Sequence, residues 1–229
     1  MKKNYKRVLT RALGLSLFAA ASLSASTTLN AGGDSIGNPG TLTFGGTIVT
    51  SLTGSYSATA PLAGIAGTYT ETVYADPGNV YCAGCYDFVL TVTASPTSLT
   101  NMEGITLGAF TASQVTVGQD ASGTACGAAV TTGCYDLLNE VSRTTTGKTV
   151  AFGFNGSSNI AEGQNSGTLV VQTNATSFFP GTVSMSDSVS DTEPGFGDLN
   201  SAPEPVSTTL LGGGLAFLGI LRLRKGRKA

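Results

Sequence analysis

Hydrophobic and polar positions alternate at period two along much of this chain. Phe88, Leu90, Val92 and Ala94 fall on one side of an extended segment, and Asp87, Thr91 and Thr93 on the other. That spacing predicts a half-buried strand. Val150, Phe152 and Phe154 repeat it around Ala151 and Gly153. Leu42 with Phe44, the run Tyr69 to Tyr74, Ile105 with Leu107, and Val115 with Val117 predict further strands, and Leu169-Val170-Val171 reads as buried on both faces. Turn residues separate them: Asp76-Pro77-Gly78-Asn79, Ser95-Pro96, Asn155-Gly156 and Phe179-Pro180-Gly181. Asp136 to Ser142 is the one stretch with the look of a helical turn or two. The expected class is therefore all-β, a single antiparallel β-sandwich domain over residues 26–185. From Ser186 the sequence turns acidic and Gly/Pro-bearing, which predicts a final strand fading into a flexible linker over 186–201.

Composition sharpens this picture through what is missing and where the charges lie. The 229 residues include no His, which excludes His-based triads and His-ligated metals. The formal charge of −2 hides a segregation. Lys2, Lys3, Lys6, Arg7 and Arg11 crowd one end, and Arg222, Arg224, Lys225, Arg227 and Lys228 the other. Between Ser26 and Ala202 only Arg143 and Lys148 face thirteen acidic residues, a net −11. Such a body repels polyanions, so no nucleic-acid partner is expected.

Both ends read as membrane signals. At the amino end, the basic Met1 to Arg7, the apolar Ala12 to Ala21 and the small residues Ser22, Ser24, Ala25 and Ser26 have the order of a cleavable signal helix, residues 1–25. At the carboxyl end Pro203-Glu204-Pro205 precedes an apolar stretch, 206–221, and the basic tail. The two prolines hold the backbone extended. The sixteen-residue stretch, weakened as a helix by Gly212, Gly213, Gly214 and Gly219, is a marginal transmembrane span. Its basic end stays cytoplasmic and acts as a stop-transfer element. With cations at both tips, the acidic body is expected across the membrane.

These residues carry a resemblance. Pro203-Glu204-Pro205, the Gly/Leu-rich helix and the Arg/Lys tail, in that order over 202–229, resemble the PEP-CTERM sorting signal of bacterial exopolysaccharide-associated proteins, a segment also described as an ice-binding protein C-terminal domain. The resemblance implies export through the Sec translocon with signal peptidase, cutting near Pro203-Glu204-Pro205 by an exosortase-type cysteine transpeptidase, and a final place at the cell surface or in extracellular matrix with polysaccharide. It says nothing of the body.

In an exported body the four cysteines point to two disulfides. Gly84-Cys85-Tyr86-Asp87 recurs as Gly133-Cys134-Tyr135-Asp136, which favours the local pairs Cys82–Cys85 and Cys126–Cys134, with crossed pairing the alternative. A four-thiolate zinc site or a redox Cys-x-x-C is less consistent with the spacing and the absent basic neighbours. Carboxylates at Asp76, Asp87, Glu103, Asp120, Asp136, Glu140 and Glu162 sit in turn-like contexts typical of solvated acids, so no catalytic residue and no metal ligand is nominated. Calcium suits an anionic body chemically, but no ligand loop is present and no cofactor is expected. Thr-x-Thr patterns at Thr41/Thr43, Thr68/Thr70/Thr72 and Thr91/Thr93 lack the regular period of an ice-binding solenoid. The expected function is that of a non-enzymatic structural matrix protein. A carbohydrate- or calcium-dependent adhesin is the alternative, and a small polysaccharide hydrolase a third reading.

Overall fold

A computed structural model describes residues 27–31, 35–37, 39–61, 63–111, 114–120, 125, 134–156 and 159–198. Twelve strands are found among them: β1 (Thr27–Leu29), β2 (Ser35–Gly37), β3 (Thr47–Ala60), β4 (Ala63–Asp76), β5 (Cys85–Ala94), β6 (Gly104–Gly108), β7 (Val115–Asp120), β8 (Glu140–Arg143), β9 (Thr149–Gly153), β10 (Thr168–Thr173), β11 (Phe178–Ser186) and β12 (Ser190–Asp198). They form two six-stranded antiparallel sheets, ordered β1-β7-β10-β5-β4-β3 and β12-β11-β6-β9-β8-β2. The arrangement is all-β and β-sandwich-like. The expected signal and C-terminal helices lie outside the described residues. Among those residues, no helix is long and apolar enough to cross a membrane.

One core joins the two sheets. Phe88, Leu90 and Val92 of β5, Leu169 and Val171 of β10 and Val115 and Val117 of β7 meet Ile105, Leu107, Val141, Val150, Phe152, Val183 and Met185 of the second sheet. The period-two spacing puts these side chains on one face, and removing that face from water is what holds the sheets together. Phe88 and Phe110 meet edge to face with centroids 5.1 Å apart. β10 is central in its sheet and buries Leu169, Val170 and Val171 completely, because its outer face is covered as well. That cover is the segment carrying Leu42 and Phe44, expected as a strand. It is instead an irregular strap whose Leu42 packs on Val89 and Val170.

Three further expectations are corrected. Asp136 to Ser142 forms no helix: 136–139 are irregular and Glu140–Arg143 is β8, because Val141 faces the core and pairs with Phe152. Phe179-Pro180-Gly181 is not a turn but part of β11. Pro180 is accommodated because its neighbour β6 pairs with β11 only from Thr182 onward, so no ladder donor is needed there. The expected linker also holds structure, since Ser190–Asp198 is β12, paired with β11 along its whole length. Phe196 anchors it, edge to face against Phe178 at 5.5 Å. Pro77-Gly78-Asn79, directly after the last residue of β4, Asp76, and the turns at Ser95-Pro96 and Asn155-Gly156 lie outside strands.

Candidate functional site

The densest polar arrangement lies on the outer face of the first sheet, where the side chains of one cross-strand row are Thr28, Thr116, Gln172, Asp87 and Tyr74. Alternation alone would leave this row in water. Two segments fold back over it. The strap brings Phe44 onto Tyr74, centroids 5.2 Å apart, and its Thr43 carbonyl accepts a hydrogen bond from Gln172 Nε2 (3.1 Å). The β4–β5 loop supplies Asn79, whose Nδ2 donates to Asp87 Oδ1 (2.7 Å) and to the Thr173 carbonyl (3.2 Å). Tyr81 from the same loop meets the Thr116 hydroxyl at 2.6 Å.

The loop's shape follows from its sequence. Asp76 Oδ1 accepts from the Gly78 amide at 2.7 Å, a side-chain-closed turn, and the Asp76 carbonyl accepts from Gly84 at 2.8 Å. Gly84 sits at φ 84°, a left-handed conformation that suits glycine. The Cys82–Cys85 disulfide, with Cα atoms 5.3 Å apart, then ties the loop to the first residue of β5. Cys134 is likewise disulfide-bonded, and Cys126, its expected partner, lies outside the described residues. The repeated Cys-Tyr-Asp triplet does share an environment, since Cys85, Cys134, Asp87 and Asp136 are all buried.

Asp87 is thus completely buried and held by Asn79 and by Gln172 (Nε2 to Oδ2, 3.1 Å), with the buried Asp76 on the neighbouring strand end. Burial first, and the neighbouring Asp76 second, push Asp87 up to about 8, so at neutral pH it keeps its proton. Gln172 Oε1 is buried with no hydrogen-bond partner. Asp136, also buried, is raised to about 6 by desolvation. These three acids are therefore not the solvated turn residues that their sequence contexts imply. Tertiary cover takes them out of water.

A further buried acid, Glu71, was not among the carboxylates singled out from the sequence. Glu71 faces inward on β4 and is fully buried, with Oε2 accepting from the Phe196 amide of β12 at 2.8 Å and Oε1 unpartnered. Desolvation raises it to about 8. Its signal in the sequence is only positional: Glu71 shares parity with Tyr69 and Val73, on the apolar side of the alternation. Glu103, Glu140 and Glu162 are exposed and Asp120 is half-buried. Among the described residues, no three His, Cys, Asp or Glu side chains converge as metal ligands.

The opposite end of the same outer face is open. Ser55 and Ser57 of β3, Thr68 of β4, Thr93 of β5 and Ser95 line a shallow groove of about 460 Å³ that carries no charged side chain. The Thr-x-Thr patterns of β4 and β5 stand here in register, Thr68 opposite Thr93 and Thr70 opposite Thr91. Pro203, Glu204 and Pro205, and Arg222, Arg224, Lys225, Arg227 and Lys228, lie outside the described residues. No protein-family model matches the chain, and neither a curated protein nor a solved structure does.

Proposed function

We propose that this chain is an exported, non-enzymatic structural protein of the extracellular matrix, sorted by its carboxyl-terminal signal and associated with extracellular polysaccharide. On this reading a single β-sandwich domain stands between a cleavable signal helix and a membrane helix over 206–221, and an exosortase-type transpeptidase cuts near Pro203-Glu204-Pro205. The observation that carries the reading is the order of basic tip, apolar stretch, anionic body, Pro-Glu-Pro, apolar stretch and basic tip in one chain. The Cys82–Cys85 disulfide supports it, because such bonds persist in oxidising compartments. Mass spectrometry of the protein recovered from cells tests it. The expected result is loss of residues 1–25 and of the peptide holding Arg222 to Lys228. Mature protein that retains both ends in the cytosol would overturn the reading.

A carbohydrate-binding module is the second reading, favoured by an uncharged groove in which the hydroxyl residues Ser55, Ser57, Thr68 and Thr93 stand among apolar ones such as Ala66 and Pro96. Binding on a neutral-glycan array that is lost in Thr68→Lys would favour it over a purely structural role. An array without signal would leave the first reading alone.

A further inference from the structure

An asparagine side chain can be attacked by the main-chain nitrogen of the residue that follows it, provided that nitrogen is unhindered and not held in a hydrogen bond. The fold withholds that nitrogen at four asparagines. After Asn101 the Met102 amide donates to the Ile160 carbonyl at 2.9 Å, and after Asn159 the Ile160 amide donates to the Met102 carbonyl at 3.0 Å. After Asn165 the Ser166 amide donates to the Val92 carbonyl at 2.9 Å, and after Asn174 the Ala175 amide donates to Thr173 Oγ1 at 3.2 Å. Two more asparagines are held by their own side chains. Asn79 Nδ2 donates to Asp87 and to the Thr173 carbonyl, and Asn139 Oδ1 accepts from the Asn155 amide at 2.8 Å.

Asn155 differs at each of these points. It precedes Gly156 in the only Asn-Gly pair of the chain, and both residues are exposed. Gly156 sits at φ 67°, and nothing stands within 4 Å of the place a Cβ would take, so the approach to its nitrogen is open. Among the described residues no acceptor takes the Gly156 amide, and no partner holds the Asn155 side chain. The chain leading into the turn is nevertheless fixed. Phe154 is buried with its amide on the Glu103 carbonyl at 2.8 Å, and the Asn155 amide is tied to Asn139.

We propose that Asn155 is a site of spontaneous covalent modification, converting in the folded protein to aspartate and isoaspartate. Hydroxide takes the Gly156 amide proton, and the nitrogen attacks Asn155 Cγ. The bond from Gly156 N to Cγ forms, the bond from Cγ to Nδ2 breaks, and Nδ2 leaves as ammonia with a proton from water. Water then opens the resulting cyclic imide at either carbonyl. Breaking the new bond restores the ordinary main chain with an aspartate. Breaking the original peptide bond routes the main chain through the side chain, which lengthens it by one carbon. In sum an amide and a water become a carboxylate and ammonia. Either product adds a negative charge to a body already at net −11. The lengthened form also alters the turn beside Gly153, which pairs with Glu140 at the start of β8.

Peptide mapping by mass spectrometry tests the site on the full chain, held in detergent in mildly acidic and in mildly alkaline buffer. The expected result is a slow mass gain equal to the exchange of NH2 for OH, confined to Asn155 and many times faster in the alkaline buffer. Both isomers should be present. Asn165 and Asn174 should keep their amides in the folded protein and convert only in denaturant, which releases the Ser166 and Ala175 amides. Asn155→Gln should show no gain at that position, because the longer side chain closes a less favourable ring. An Asn155 amide that survives in the folded protein for as long as the denatured chain takes to convert overturns the proposal. Conversion of Asn165 or Asn174 at a comparable rate in the folded protein does so as well.

Discussion

The ring of Tyr69 lies over Gly54, its cross-strand neighbour on β3, and Tyr56 lies in the same way over Gly67. Each glycine leaves a gap in the inner face of the β3–β4 hairpin, and each tyrosine fills the gap opposite, a reciprocal exchange that pins the register of two long strands. A Cβ on Gly54 would stand 2.5 Å from Tyr69 Cε1. Gly54→Ala is therefore expected to cost about 1–3 kcal/mol through forced displacement of the ring. It would also pull the Tyr69 hydroxyl off the Pro194 carbonyl. Thermal unfolding measures the first effect, and faster amide exchange in β12 reports the second.

Glu71 sets a pH dependence. Its folded value, about 8, lies above the ordinary 4.5, so the stability it contributes is complete below about pH 4.5 and is lost as pH rises through about 8. The cost of ionising it between the sheets is on the order of a few kcal/mol. Asp136, raised to about 6, adds to the same trend. The melting temperature should therefore fall between pH 5 and pH 9. Glu71→Gln keeps an acceptor for the Phe196 amide and removes the titration, so its melting temperature should vary less over that range and exceed the wild type's at pH 9. Equal slopes for the two proteins would mean that other groups carry the dependence.

The legible part of this fold was the part whose burial is written in local alternation. β5, β6, β7, β9 and β10 each place branched or aromatic residues at every second position, and each occurs. β3 was not legible, and β12 only as a final strand fading into a linker, because Ser, Thr, Gly and acidic residues dominate them and their pairing depends on neighbours far along the chain. Glu71 closing the β12 edge is such a case, 125 positions apart. The polar row at Asp87 failed for a different reason. Alternation assigned Asp87 to the outer face, which is correct, but the strap at Leu42 and Phe44 and the loop at Asn79 then cover that face. Local spacing can assign a face; it does not encode what later folds over it. The disulfide loop was readable because Cys82 and Cys85 are close enough in sequence to need no other information.

That loop gives a third prediction. Closing four residues restricts the unfolded chain little, so replacing both Cys82 and Cys85 by Ser is expected to cost about 2 kcal/mol. The loss should fall locally, loosening Asn79 and Tyr81 from Asp87 and Thr116. Hydrogen exchange at residues 77–84 should therefore rise more than exchange in the core strands. An equal rise throughout would assign the disulfide a global role instead.

The last prediction tests the protonation of buried Asp87. Asparagine at position 87 can still accept from Asn79, and it cannot ionise. It loses the acceptor that Gln172 Nε2 uses, although that nitrogen keeps the Thr43 carbonyl. At pH 5, where wild-type Asp87 is protonated, Asp87→Asn should be less stable by about 1 kcal/mol, one hydrogen bond. At pH 9 the wild type must either hold a buried carboxylate at position 87 or open the loop, and the variant faces neither. The wild type loses about 1.4 kcal/mol per pH unit between the ordinary value of 3.8 and the folded value of about 8, so the two stability curves should cross near about pH 6 and run parallel above about 8. Chemical denaturation at intervals between pH 5 and pH 9 locates the crossing. Parallel curves would show that Asp87 stays ionised throughout.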